Sequence, residues 1–169
     1  RGLKNLERLT LYYPYPGSKA LKDITAIQGL TKLKSLNLQR CTNVSDVSAL
    51  KGLTNLKSLN LSHTNISDVS ALKDLKNIEV LDIGYTKVND VSALKDLKKL
   101  KSLTMWSTKV KDVSAFKNLK NLEYLNISND VLDKGHVLDA LKDINVRVMV
   151  PVRTDGRKAM FMYWKERKK

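Results

Sequence analysis

The sequence repeats itself every 22 residues. LTNLKSLNLSHTNISDVSALKD begins at Leu53, LKNIEVLDIGYTKVNDVSALKD at Leu75 and LKKLKSLTMWSTKVKDVSAFKN at Leu97. A fixed period of this length marks stacked supersecondary units, none of which buries its apolar face alone. Coils laid against one another complete each other's burial and share backbone hydrogen bonds, so the expected architecture is a solenoid. Reading the leucines as ordinary amphipathic helices would miss this altogether.

The period extends in both directions. A first unit, 3–29, holds Leu3, Leu6, Leu9 and Leu11 at the repeat spacing and carries extra residues around Tyr12–Gly17, where two prolines and a glycine demand a loop. Units at 30–52, 53–74, 75–96 and 97–118 follow, and a sixth at 119–130 loses the pattern after Asp130. Within a unit two signals alternate. SLNL, VLDI and SLTM read as short strands with one face buried. Asp-Val-Ser-Ala-Leu-Lys then places Asp46, Asp68, Asp90 and Asp112 where a carboxylate can cap the free N–H groups of a short helical or 3-10 turn. The expected fold is therefore an α/β repeat, with a parallel sheet on one side and short turns on the other. Residues 131–169 read as a C-terminal cap. Val137, Leu138 and Leu141 have helical spacing, Ile144 to Val150 alternate as a strand, and Asp155-Gly156 signals a hairpin. Phe161, Tyr163 and Trp164, with Met160 and Met162, read as hairpin core, and the KERKK ending as a solvated tail.

These motifs resemble the leucine-rich-repeat superfamily, whose strand segment is LxxLxLxxN/C/TxL. It stands here as LKSLNLSHTNI at 56–66, IEVLDIGYTKV at 78–88 and LKSLTMWSTKV at 100–110. The 22-residue length and the D-V-S-A-L-K-x-L segment are similar to the internalin-type class of bacterial surface proteins, over about residues 2–130. The resemblance implies a leucine-rich-repeat solenoid with the sheet on its concave side, acting as a recognition scaffold. Two positions depart from the family pattern. Cys41, Thr64, Thr86 and Thr108 occupy the column where the internalin class carries Asn, and Ala replaces the Pro of the turn segment.

The strand register sorts the outward residues into four columns. Arg8, Ser35, Ser58, Val80, Ser102 and Tyr124 form the first, and Thr10, Asn37, Asn60, Asp82, Thr104 and Asn126 the second. Tyr12, Gln39, Ser62, Gly84, Trp106 and Ser128 form the third, and Tyr13, Arg40, His63, Tyr85, Ser107 and Asn129 the fourth. None is a lysine. The 31 Lys+Arg against 17 Asp+Glu, a formal net charge of +14, therefore sit mainly on the approach segments and convex turns. Such a flank is most simply a solvated surface, with an acidic lipid, polyanion or nucleic acid as the alternative target. Nucleic acid is disfavoured because a groove for it interleaves cations with aromatics on one face. Tyr12, Tyr13, Arg40, His63, Asp82, Tyr85, Trp106 and Tyr124 are instead the candidate binding residues for an extended protein or peptide, being mostly types enriched at interface hot spots. Scattered aromatics that merely cover sheet backbone are the competing reading.

Catalysis is not expected. His63 and His136 are the two histidines, far apart along the stack, and Cys41 falls on the inward column. There is no CxxC, no HExxH and no EF-hand loop, so neither a metal nor a cofactor is expected. With 42% hydrophobic and 28% charged residues and no apolar run near the ~20 needed to span a bilayer, neither disorder nor a membrane-spanning helix is expected. The chain opens RGLKNLERLTL inside the leucine pattern and without Met, so a leader, cap or domain is expected upstream. The internalin-like turn favours an extracellular or cell-surface adhesion-type module over an intracellular, cytoplasmic scaffold.

Overall fold

The computed structural model describes residues 3–11, 21–128, 136–154 and 157–164. Six short strands recur at the repeat spacing: β1 Arg8–Thr10, β2 Ser35–Asn37, β3 Ser58–Asn60, β4 Val80–Asp82, β5 Ser102–Thr104 and β6 Tyr124–Asn126. Helix α1 (His136–Leu141) precedes the longer β7 (Arg147–Thr154) and β8 (Arg157–Trp164). Strand order follows the chain. β1 to β7 are parallel and in register, Leu9, Leu36, Leu59, Leu81, Leu103, Leu125 and Val148 standing in one row. β8 returns antiparallel to β7, with Thr154 opposite Arg157. The sheet thus runs unbroken past residue 130. Tyr12 to Pro16, the side chains of β8 and the KERKK ending lie outside what is described.

On the opposite side each coil makes one 3-10 turn, as at Ser48–Leu50, Ser70–Leu72 and Ser92–Leu94. Asp46, Asp68, Asp90 and Asp112 each accept a hydrogen bond from the backbone N–H two residues on, at 2.7–2.8 Å. The aspartate therefore caps from one position before the valine that enters the turn. Between sheet and turns lies one continuous core of leucine, isoleucine and valine, with Met105 and Phe116 replacing aliphatic residues. Cys41 is buried in it, its thiol 2.8 Å from the Leu11 carbonyl oxygen, and burial pushes the thiol pKa up.

Threonine takes the family's asparagine column in a local way. The hydroxyls of Thr64, Thr86 and Thr108 donate to the carbonyls of Leu61, Ile83 and Met105 in their own coils, at 2.6, 2.7 and 2.9 Å. Side-chain bonds between coils come from elsewhere. Asn55, Asn77 and Asn121 donate to the carbonyls of Thr31, Thr54 and Lys98 in the preceding coil, at 2.8, 2.9 and 2.7 Å. Lys32 and Lys99 hold the same position in the other coils and donate to Asn5 and Asn77, each at 2.7 Å. An asparagine–lysine ladder on the approach segments thus ties each coil to its neighbour.

Candidate functional site

The outward columns are not equally open. In the second column, Asn37, Asn60 and Asp82 turn back and accept from the backbone N–H of Gln39, Ser62 and Gly84, at 2.8, 2.9 and 2.8 Å. That bends the chain inward after β2, β3 and β4, and Ser62 and Gly84 of the third column are buried. Trp106, after β5, is half-buried with its indole Nε1 covered. The third column was expected to face outward; Ser62 and Gly84 are buried, and Gln39, Trp106 and Ser128 are half-buried. Asp82 is half-buried as well. Burial raises its carboxyl pKa, against the opposing effects of the Gly84 N–H, the Ser62 hydroxyl and the charge of His63. The Ser62 hydroxyl donates to Asn60 Oδ1 at 2.7 Å.

The fourth column has a backbone conformation that no sequence signal announced. Arg40, His63, Tyr85 and Ser107 have φ of 62°, 57°, 56° and 49°, all in the left-handed region although none is glycine. The next coil supports this geometry. The N–H groups of Arg40, His63 and Tyr85 donate to the carbonyls of Ser62, Gly84 and Trp106, at 2.9, 2.9 and 2.6 Å, carrying the inter-coil ladder past the strand ends. The conformation lifts these side chains onto the edge where the chain leaves the sheet. There the His63 and Tyr85 rings stack, with centroids 4.3 Å apart and planes at 8°.

In the first column Val80 and Tyr124 are 46% and 40% exposed, and Tyr85 of the fourth column is 41% exposed. Arg147, the first residue of β7, lies over the Tyr124 ring at 5.4 Å from its centroid and reaches its hydroxyl at 3.3 Å. Of the candidate residues, Arg40, Tyr85 and Tyr124 are exposed, while His63, Asp82 and Trp106 are half-buried. Tyr12 and Tyr13 lie outside the described residues. Sequence reasoning passed over Val80 and Arg147. Val80 could have been singled out as the one aliphatic residue in a column otherwise of serine, arginine and tyrosine. Arg147 was hidden by the irregular spacing after residue 130.

Among the described residues no three of His, Cys, Asp or Glu gather into a metal-binding group. No described helix is long and apolar enough to cross a membrane.

The family model for leucine-rich repeats (two copies) matches residues 54–96. Internalin C2 from Listeria monocytogenes is 34% identical in sequence and superposes with a TM-score of 0.67 over 77% of this chain and 57% of its own. This chain folds as a leucine-rich-repeat solenoid similar to those of the internalins. An internalin (inlF) from the same organism is 25% identical, with a TM-score of 0.63 over 89% of this chain and 49% of its own. The leucine-rich-repeat protein described here therefore spans about half the length of these two internalins. No match was found among curated proteins. The outward columns are the part of this solenoid that differs from coil to coil.

Proposed function

We propose that this internalin-like module binds a protein or extended peptide through the concave sheet face, by contact alone and without catalysis. The observation that carries the reading is the exposure of Val80, Tyr85 and Tyr124 on that face; the remaining large hydrophobic exposed among the described residues is Leu3, at the first coil. A partner that covered them would bury apolar surface worth about 25 cal/mol per Å². Arg40 and His63 supply polar anchors beside them.

The lysine-rich flank supports the same assignment by having another role. Lys34 and Lys101 pair with Glu7 and Glu79 at 2.6 and 2.9 Å, and others join the asparagine ladder. Those lysines tie coils together on a solvated surface. In the same reading residues 131–169 close the stack, and the internalin likeness favours a bacterial secreted or cell-surface setting. The test is a pull-down from host or culture extract, with a Tyr85→Ala, Tyr124→Ala double variant as the control. The variant should melt with the parent and lose the captured partner by about 2 kcal/mol or more of binding energy. Equal capture by both proteins would place the binding surface elsewhere.

A further inference from the structure

The two edges of the sheet differ in how their charge is satisfied. The ion pairs Lys34–Glu7, Lys57–Glu79, Lys76–Asp96 and Lys101–Glu79 lie on the approach segments or the convex side. Where the chain leaves the sheet, Arg40, Lys87 and Lys109 are exposed and take part in none of these pairs. The aspartates that follow, Asp46, Asp68 and Asp90, hold their carboxylates on turn N–H groups. This exit edge is locally cationic.

An open groove of about 470 Å³ runs along the same edge, lined by His63, Tyr85, Thr86, Lys87 and Ser107 among others, and no carboxylate lines it. His63 covers one face of the Tyr85 ring at 4.3 Å. Strands in a sheet are about 4.8 Å apart, so this column sets planar side chains nearly at stacking distance. After Tyr85 the column continues with Ser107, whose short side chain leaves a gap one ring thick against the other face of Tyr85.

We propose that this gap receives an aromatic side chain from an acidic, extended segment of a protein partner. Its ring lies on Tyr85 opposite His63, and its carboxylates reach Lys87 and Arg40. The proposal rests on the concave-face reading and narrows it. The cationic rim disfavours an arginine in the gap and favours aspartate and glutamate beside the ring. A single open ring face with a few cations suits one anchor residue better than a single-stranded nucleic acid, which needs successive stacking platforms along a cationic groove.

The test is selection of random peptides displayed on phage against the intact chain, followed by measured affinities for variants. The binders should be enriched in an aromatic residue flanked by Asp or Glu and should weaken as salt rises. Ser107→Tyr, which fills the gap, and Lys87→Glu should each weaken them about tenfold or more, with Tyr124→Ala having a smaller effect. His63 and Tyr85 already hold ring side chains at φ values close to that of Ser107, so Ser107→Tyr adds no new backbone demand. Lys87→Glu, at an exposed position, keeps the test decisive if the other variant does not fold. Peptides insensitive to both changes but lost with Tyr124→Ala would overturn the gap and leave the concave-face reading standing. Peptides insensitive to all three, or no enrichment, would count against both. Binding of a 20-mer oligothymidylate that is abolished by Ser107→Tyr, while selected peptides are unaffected, would replace the peptide by nucleic acid and overturn the proposal.

Discussion

Asp82 and Asp68 each accept a backbone N–H two residues ahead, yet their protonation is driven in opposite directions. Asp68 is at the surface, and its bonds from the Ser70 N–H and hydroxyl lower its pKa. Its contribution to stability is in place above the ordinary carboxylate range and fades as pH falls through the lowered value. Asp82 is half-buried, and desolvation outweighs its hydrogen bonds, so its pKa is raised. A charged Asp82 therefore costs stability at neutral pH, and the cost is relieved as pH falls through the raised value. Asp82→Asn should keep the bond to the Gly84 N–H, as Asn37 and Asn60 do in their own coils. We expect its melting temperature at pH 7 to equal or exceed that of the parent, with the gap closing as pH approaches 4. A large loss at pH 7 would show that the charge itself is needed. The sequence made the aspartates of the turns legible as caps because they recur beside Val-Ser-Ala-Leu. It could not announce the inward bend at Asp82, which depends on a hydrogen bond formed only once the strand is placed.

At the level of the element, one letter decides how each turn closes. Where the segment ends Leu-Lys-Gly, Lys51 has φ −56° and ψ 131° and Gly52 takes φ 86°, the arrangement of a type II turn. Where it ends Leu-Lys-Asp, Lys73 and Lys95 have ψ of −31° and −27°, as in a type I turn, and Asp74 and Asp96 avoid positive φ. Nothing lies within 4 Å of a Cβ built on Gly52, so conformation rather than space is at stake. Gly52→Ala should cost about 1 kcal/mol in chemical denaturation. An unchanged midpoint would mean that the peptide turns over to the arrangement of the next coil. The strands themselves were plain from the leucine spacing, and from Leu53 to Ile127 the leucine rows predicted to face inward do so, while Leu3 at the first coil is exposed. Leu81 is 1% exposed, and Leu81→Asp should cost about 3 kcal/mol or more by placing an unpaired carboxylate in the core. A melting curve matching the parent would contradict the inward placement. The asparagine–lysine ladder was not legible, because its members alternate between two residue types and precede the strand pattern.

Across the whole molecule, the contacts that hold the coils together leave the sheet face uncovered. Apolar rows fill the interior, ion pairs and the ladder stitch the approach edge, and the sheet face with its exit edge is left open. Column analysis of the sequence reached the face but treated its four columns alike. It gave Trp106 and Asp82 the same weight as Tyr85 and Tyr124, since withdrawal of a side chain by a bend leaves no trace in spacing. It counted Arg40 among the binding residues but not Lys87, which lines the groove with His63 and Tyr85. The account stands or falls on which face meets the partner. Hydroxyl-radical footprinting of the chain, free and in complex with a captured partner, reads this side chain by side chain. Tyr85 and Tyr124 should lose reactivity on binding, while reactive side chains of the convex turns keep theirs. Protection confined to the convex turns or the approach segments, with Tyr85 and Tyr124 as reactive as in the free protein, would contradict it.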